Sequence, residues 1–223
     1  AFRLALVGVP NCGKTALFNR LTGSRQKVAN YPGVTVERKE GAFLSANRER
    51  HYQLIDLPGT YSLLPATLDE AITRDALTGK LRGEPAPDLI VCVVDATNLR
   101  LSLRLALELR QIGRPMIVAL NMSDLAKQRG FRLDRDRLES ELGVPVVETV
   151  AVHPAGGRGL IAAIDVLCAS LDAEHAAARR DADEDLVVAL QVAPPAPIVP
   201  PVVMPAPTTA DIEATQRETR RML

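Results

Sequence analysis

The sequence predicts an α/β fold, a six-stranded, mostly parallel sheet with one antiparallel edge strand and helices on both faces. Apolar runs alternate along the chain with stretches of helical pattern, as parallel strands alternate with their crossover helices. Residues 89–94 are apolar without a break, which is typical of a strand buried on both faces. A glycine-rich loop also separates the first apolar run from the first helical stretch.

Each element has its own signal. Strands are expected at the apolar runs, which are residues 2–8, 41–46, 50–56, 88–95, 115–120 and 144–150. Helices are expected where helix-forming residues dominate, which are residues 14–22, 67–81, 99–112, 134–142 and 157–171. The link between the second and third strand candidates is short, so these two should form an antiparallel hairpin at one edge of the sheet.

Residues 99–112 give conflicting signals. Leucine occupies every second position from Leu99 to Leu109, which is strand periodicity. The run from Leu99 to Leu109 nevertheless consists mainly of strong helix formers and contains no β-branched residue. Parallel strands on either side of it also need a crossover connection. We therefore expect a helix.

The composition excludes several classes of protein. Lys and Arg together number 27, as do Asp and Glu, so a general nucleic-acid surface is not expected. Three cysteines at irregular spacings point to a reducing compartment and not to a disulfide scaffold. No apolar run reaches the ~18 residues of a membrane span, so we expect the fragment to be soluble.

The loop after the first strand fits the phosphate-binding pattern G-x-x-x-x-G-K-[ST]. Its glycines let the backbone close around an anion, and its N–H groups with the helix N-terminus stabilise the charge. Lys14 should reach the β- and γ-phosphates, the Thr15 hydroxyl should bind Mg²⁺, and the helix terminus should lower the pKa of Cys12. The predicted nucleotide contacts here are Gly8, Val9, Pro10, Asn11, Cys12, Gly13, Lys14, Thr15 and Ala16.

A second phosphate-side motif ends the strand at 50–56. It is the D-x-x-G sequence Asp56, Leu57, Pro58 and Gly59. Asp56 should hold a water molecule on Mg²⁺, and the Gly59 N–H should contact a γ-phosphate.

Between the two motifs, residues 23–37 have few regular signals, as expected of a mobile switch. The contacts predicted there are Gly33, Val34, Thr35, Val36 and Glu37. We expect the Thr35 hydroxyl to bind Mg²⁺ when a γ-phosphate is present.

The base-binding candidates follow the next two strands. Asn121, Met122, Ser123 and Asp124 form an N-x-x-D motif, in which Asp124 can accept hydrogen bonds from N1–H and the 2-amino group of guanine. Adenine lacks these donors, and Met122 can cover the base where Lys is usual. Asn121 should tie this loop to the phosphate loop. The last contacts are expected at Val150, Ala151 and Val152, where the Ala151 N–H could reach guanine O6 although the usual supporting Ser is missing.

Five segments, in this order and spacing, resemble the FeoB family: GVPNCGKTALFNRLTG, NYPGVTVERKEG, DLPGTYSL, DATNL and NMSD. The resemblance covers about residues 1–171 and implies a Ras-like P-loop GTPase fold. It implies a domain on the cytoplasmic face of the bacterial inner membrane that binds GTP and GDP, uses Mg²⁺ and serves a ferrous iron transporter. The membrane-spanning part of that transporter is the implied partner. Assembly of identical chains stays open.

Turnover is expected to be slow and to involve Lys14, Thr35, Gly59 and Asn11. Thr60 stands where Ras-like enzymes have a Gln that orients water, and a short hydroxyl cannot span that distance. The resemblance implies that Asn11 holds K⁺, which would supply a missing positive charge. A purely structural role for Asn11, linking loops across the nucleotide, remains open.

Two other functions remain open. One is a soluble GTPase of ribosome assembly or RNA modification, although such proteins more often have N-K-x-D and a basic extension. The other is a nucleotide sensor that binds GTP and scarcely hydrolyses it, which the Thr60 substitution allows.

The tail differs from the family's helical module. The domain division expected is 1–171 and 172–223, with helices near 172–191 and 209–222 separated by a proline-rich linker at 193–207. Two helices cannot enclose a core of their own, so we expect them to pack on the GTPase domain, on each other or on a second chain. We expect them to be a shortened form of the family's module.

Overall fold

A seven-stranded sheet with the order β2-β3-β4-β1-β5-β6-β7 forms the centre of the first of two units. The computed structural model describes residues 2–23, 26–31, 34–81 and 83–192. The chain divides into the units Ala1–Glu174 and His175–Leu223. The strands are β1 (Phe2–Gly8), β2 (Gln26–Asn30), β3 (Glu37–Leu44), β4 (His51–Asp56), β5 (Leu89–Asp95), β6 (Met116–Asn121) and β7 (Val146–Glu148).

Within the described residues, six helices connect or follow these strands. They are α1 (Lys14–Thr22), α2 (Leu68–Thr78), α3 (Leu99–Arg110), α4 (Ser123–Gln128), α5 (Arg135–Leu142) and α6 (Arg158–Val192). The predicted α/β class is thereby confirmed. The short helix α4 was not predicted, because six residues are too few to show a periodic pattern.

The sheet contains one strand more than the six predicted. The additional strand is β2, which lies in the segment where only a mobile switch was expected. All five of its residues are exposed, so it has no burial alternation that a sequence pattern could reveal. Its hydrogen bonds to β3 define it.

Strand direction also differs in one respect from the prediction. Among the strands of the described residues, only β3 runs against the others, since it is antiparallel to both β2 and β4. The antiparallel strand therefore lies second from the edge of the sheet and not at the edge.

Residues 99–110 are helical, as predicted. The face of α3 that packs inward is formed by Ser102, Leu105, Ala106 and Leu109, which follow helical spacing. Leu101 and Leu107 are 43% and 48% exposed, so part of the alternating leucine pattern has no counterpart in burial.

Helix α6 packs against the hairpin formed by β3 and β4. The Tyr52 hydroxyl donates to Asp165 Oδ1 at 2.7 Å, and the Ala46 N–H donates to Oδ2 of the same carboxylate at 2.9 Å. Arg50 pairs with Asp172 at 2.7 Å. The helices predicted at 157–171 and 172–191 are a single helix, because nothing in the sequence between them breaks it. The predicted linker at 193–207 and helix at 209–222 lie outside the described residues.

Substituting Tyr52 with Phe tests the contact between the hairpin and α6. The ring should stay buried, but Asp165 would lose the hydroxyl donor, so we expect the free energy of unfolding to fall by about 1–3 kcal/mol. Urea denaturation followed by circular dichroism measures it. Tyr61→Phe is the control, since Tyr61 is 48% exposed. Equal stability of the Tyr52 variant and the parent would contradict the assignment.

Candidate functional site

The loop between β1 and α1 adopts a conformation that depends on its two glycines. A Cβ at Gly8 would lie 2.6 Å from Cys12 Sγ and 2.8 Å from the carbonyl oxygen of Val93. Gly13 has φ 82° and precedes α1, and a Cβ there would lie 2.3 Å from Asn121 Nδ2. Since an L side chain fits at neither position, the backbone can turn closely from β1 into α1.

The D-x-x-G segment lies against this loop. Lys14 Nζ forms an ion pair with the buried Asp56 carboxylate. The Thr60 N–H donates to the Gly8 carbonyl at 3.2 Å, and a Cβ on Gly59 would lie 3.4 Å from Pro10. The lysine and the aspartate that were predicted from separate motifs are therefore in direct contact.

Asn121 joins three loops at the carboxyl edge of the sheet. It ends β6, is 2% exposed, and donates from Nδ2 to the Cys12 carbonyl at 3.0 Å. Its Oδ1 accepts from the Thr149 hydroxyl at 3.3 Å and from the Ala151 N–H at 3.1 Å. The link to the phosphate loop that the sequence suggested is present, and a second link reaches the loop after β7.

The other members of the N-x-x-D motif lie around this amide. Met122 has φ 59°, and its Cε would lie 3.3 Å from a Cβ on Gly13, so its thioether covers the phosphate loop. The buried Ser123 hydroxyl donates to the Thr149 carbonyl at 3.4 Å. Asp124 is half-buried in the first turn of α4.

Arg20 is a contributor that the sequence reasoning missed. From the last turn of α1, its Nε donates to the Ala151 carbonyl at 3.0 Å and its second guanidinium nitrogen donates to the Val152 carbonyl at 3.1 Å. An arginine in an amphipathic helix has no distinguishing local signal, and its partners lie more than 130 residues away in sequence.

The switch segment is anchored by Tyr31, which is 2% exposed. Its carbonyl accepts from the Val34 N–H at 3.2 Å, and its N–H donates to the Val36 carbonyl at 3.0 Å. Thr35, carried by this turn, is exposed, and its hydroxyl forms no hydrogen bond within the part of the chain that the structure describes. Thr35 therefore makes no hydrogen bond to Lys14 or Asp56. Gly33 lies outside the described residues.

The remaining predicted residues divide by exposure. Those that are buried are Val9, Cys12, Asp56, Leu57, Asn121, Ser123 and Ala151. Those that are exposed are Asn11, Thr15, Thr35, Glu37 and Val152, while Pro10, Gly13, Lys14, Ala16, Val34, Val36, Pro58, Met122, Asp124 and Val150 are intermediate.

The segment after Gly59 is held by side chains that no motif indicated. The Thr60 hydroxyl, 1% exposed, donates to the Ser62 carbonyl at 2.6 Å. Glu108 on α3 accepts from the Leu63 N–H at 2.6 Å and from the Ser62 hydroxyl at 2.8 Å. Burial opposes ionisation of Glu108, but these hydrogen bonds outweigh it and lower its pKa. The Thr60 hydroxyl is therefore engaged within its own turn.

The expectation for the Cys12 thiol was wrong. Cys12 is 1% exposed, and burial raises its pKa to about 11, although the Lys14 N–H and the Lys14 charge act in the opposite direction. The helix N-terminus therefore does not activate this thiol, because the loss of hydration is the larger effect.

The family model for ferrous iron transport protein B matches residues 2–164 of the chain. The chain belongs to this family, the FeoB family. It is 48% identical over 166 residues to the Fe(2+) transporter FeoB of Salmonella typhimurium and 47% identical to that of Escherichia coli K12. Each alignment covers 73% of this chain and 21% of the relative, so the chain spans about a fifth of these FeoB proteins.

Solved FeoB structures share the fold. The cytosolic domain of L. pneumophila FeoB matches with a TM-score of 0.67 and 41% identity over 74% of this chain and 68% of that one. The G domain of the T. maritima FeoB iron transporter matches with a TM-score of 0.65 and 44% identity over 75% of this chain and 96% of that one. The predicted Ras-like P-loop architecture is confirmed, and the FeoB family is favoured over a GTPase of ribosome assembly.

The described helices include no candidate for a membrane span.

All three cysteines should resist alkylation in the folded protein. Burial raises the pKa of Cys12 and Cys168 to about 11 and raises that of Cys92 as well. The reactive thiolate would form only as the pH rises through that range, so iodoacetamide at pH 8 should modify the native chain slowly. Mass spectrometry after a timed reaction measures this, with the urea-unfolded chain as the control. Rapid modification of native Cys12 would contradict the result.

Proposed function

We propose that this chain binds guanine nucleotides and slowly hydrolyses GTP as the nucleotide-binding domain of a ferrous iron transporter. The observation that supports this best is Asn121, whose amide joins the phosphate loop to the two candidate base loops. Phosphate-binding and base-binding motifs then lie along one edge of the sheet, where open α/β sheets bind ligands. The FeoB structures supply the family context.

The phosphates are assigned to the β1–α1 loop. Its N–H groups and the start of α1 offer partial positive charge, and Lys14 adds a full charge beside them. In the nucleotide complex Lys14 would exchange its partner Asp56 for the β- and γ-phosphates. The Gly59 N–H and the Thr35 hydroxyl would then contact the γ-phosphate side, which requires the exposed Thr35 to move.

The donors near Lys14 fit Mg²⁺. Thr15 offers an exposed hydroxyl in the first turn of α1, and Asp56, the ion-pair partner of Lys14, offers a carboxylate, both hard oxygen ligands. Thr15 and Thr35 would bind the ion directly, and Asp56 would bind through a water molecule. Mg²⁺ neutralises charge that develops on the phosphate oxygens. The chain itself would orient the phosphates through the N–H groups of the β1–α1 loop and Lys14.

The base is assigned to Asp124 and the loop Val150–Val152. The half-buried carboxylate can accept two hydrogen bonds from guanine, and an adenine in its place would leave that acceptor unpaired. The Ala151 N–H already donates to Asn121 Oδ1, so a base oxygen would share it or use the next amide.

The partner would be the membrane-spanning part of the same transporter, on the cytoplasmic face of the membrane. This rests on the FeoB relatives, of whose length the chain spans about a fifth. We also propose that the chain divides into a GTPase domain at residues 1–171 and an extension at 172–223.

Asp124→Asn tests the guanine assignment. The amide replaces one acceptor with a donor, so GDP should bind on the order of a hundredfold more weakly, and xanthosine diphosphate should bind better than it does to the parent. Isothermal calorimetry measures both. Asp136→Asn is the control, since Asp136 is an exposed partner of Arg135. Unchanged GDP affinity in the Asp124 variant would refute the assignment.

The buried Thr60 hydroxyl also supports a second function, that of a nucleotide sensor without turnover, because the side chain that follows Gly59 donates to the Ser62 carbonyl and is too short to orient water as a Gln would. A K⁺ ion held by Asn11 would instead supply charge for hydrolysis. Single-turnover GTP hydrolysis in K⁺ and in Na⁺ distinguishes the two. We expect a rate about tenfold or more higher in K⁺, corresponding to roughly 1.4 kcal/mol of barrier, which Asn11→Ala should abolish. Equal rates in both salts would remove the role of K⁺, and rates equal to buffer would favour the sensor.

A further inference from the structure

We propose that Arg20 is a positioning residue for guanine specificity, because it holds the base loop, residues 149–153, in the orientation that recognises O6. The proposal rests on the proposed function. Its starting point is the pair of hydrogen bonds from one guanidinium group to two consecutive carbonyls, at 3.0 Å to Ala151 and 3.1 Å to Val152.

These bonds orient two successive peptide groups. A guanidinium group is planar and presents its donors as a rigid fork, so both carbonyls must point toward α1. In a trans peptide the N–H points opposite to the C=O. Holding the Ala151 carbonyl therefore turns the Val152 N–H away from Arg20.

The Val152 N–H is the amide of this loop that remains available. The Ala151 N–H donates to Asn121 Oδ1 at 3.1 Å, and the His153 N–H donates to the Val150 carbonyl at 2.9 Å. The Val152 N–H has no acceptor among residues 2–23, 26–31, 34–81 and 83–192. A ligand carbonyl on the far side from Arg20 could accept from the Val152 N–H alone, or from the Val152 and Ala151 N–H groups together.

Two glycines let the loop close on itself and on Arg20. A Cβ at Gly156 would lie 1.7 Å from the Val150 carbonyl oxygen. That oxygen is held in place because it accepts from the His153 N–H. A Cβ at Gly157 would lie 3.3 Å from Arg20 Cγ, so the arginine stem passes directly over that residue. In this chain, which has Val150 where a supporting Ser is usual, the loop is held from outside by Arg20.

Arg20 also connects the base loop to the phosphate loop. Lys14, at the end of the phosphate loop, and Arg20 belong to one rigid element, since α1 begins at Lys14 and carries Arg20 in its last turn. The distance between the phosphate-binding N-terminus of α1 and the base loop is thereby held constant, which preorganises the site for one size of nucleotide.

The test compares GDP, IDP and 6-thio-GDP in competition with a fluorescent GDP analogue. All three have N1–H; IDP lacks the 2-amino group, and 6-thio-GDP replaces O6 with sulfur, a weak acceptor. Arg20→Ala should lower the affinities for GDP and IDP by about the same factor, roughly tenfold, and the affinity for 6-thio-GDP by less than about threefold. Arg20→Lys keeps the stem and the charge but not the fork, so it should give an intermediate loss of GDP affinity with the same selectivity.

The controls separate this role from a general effect on the fold. Arg137→Ala removes an exposed arginine of α5 and should change none of the three affinities. If Arg20→Ala does not fold, Arg20→Lys provides the same comparison. An equal loss for all three nucleotides, or no loss for GDP, would overturn the proposal. If the parent binds GDP no more tightly than ADP, the proposed function itself fails, and the role of Arg20 fails with it.

Discussion

The buried amide of Asn121 is the interaction on which the arrangement of the site depends. It is 2% exposed, and each of its two polar atoms has a partner on a different loop. Leaving such a group without a partner in the interior costs about 1–3 kcal/mol, so the loops are held together by the need to satisfy it. The same contact explains why position 13 is glycine, because a Cβ there would lie 2.3 Å from Asn121 Nδ2.

The order of the strands brings these loops into reach of one another. β1 lies between β4 and β5, and β6 lies beside β5, so the loops that follow these strands meet at one edge of the sheet. The central strands are apolar on both faces and almost fully buried, which makes this edge a rigid support. The packing of the hydrophobic core therefore sets the positions of the polar groups in the loops at this edge.

At three positions the chain differs from the residue usual in GTPase motifs, and at each of them a contact seen in the structure holds the local loop. Met122 stands in place of a Lys and covers Gly13 with its thioether. Val150 stands in place of a Ser, and Arg20 holds the loop instead. Thr60 stands in place of a Gln, and its hydroxyl stays within its own turn by donating to Ser62.

The sequence by itself determined the α/β class, the positions of β1 and α1, and the motifs that place phosphate before base along the chain. These features are local, because periodicity and glycine spacing act over a few residues. The sequence did not reveal β2, whose exposed residues have no pattern, or the continuous length of α6. The N-x-x-D motif suggested that Asn121 ties its loop to the phosphate loop, but only the tertiary structure identified the Cys12 carbonyl, 109 positions away, as its acceptor. Only the tertiary structure decided that Arg20 contacts Ala151 across 131 positions, because such a contact arises from packing and leaves no local signature.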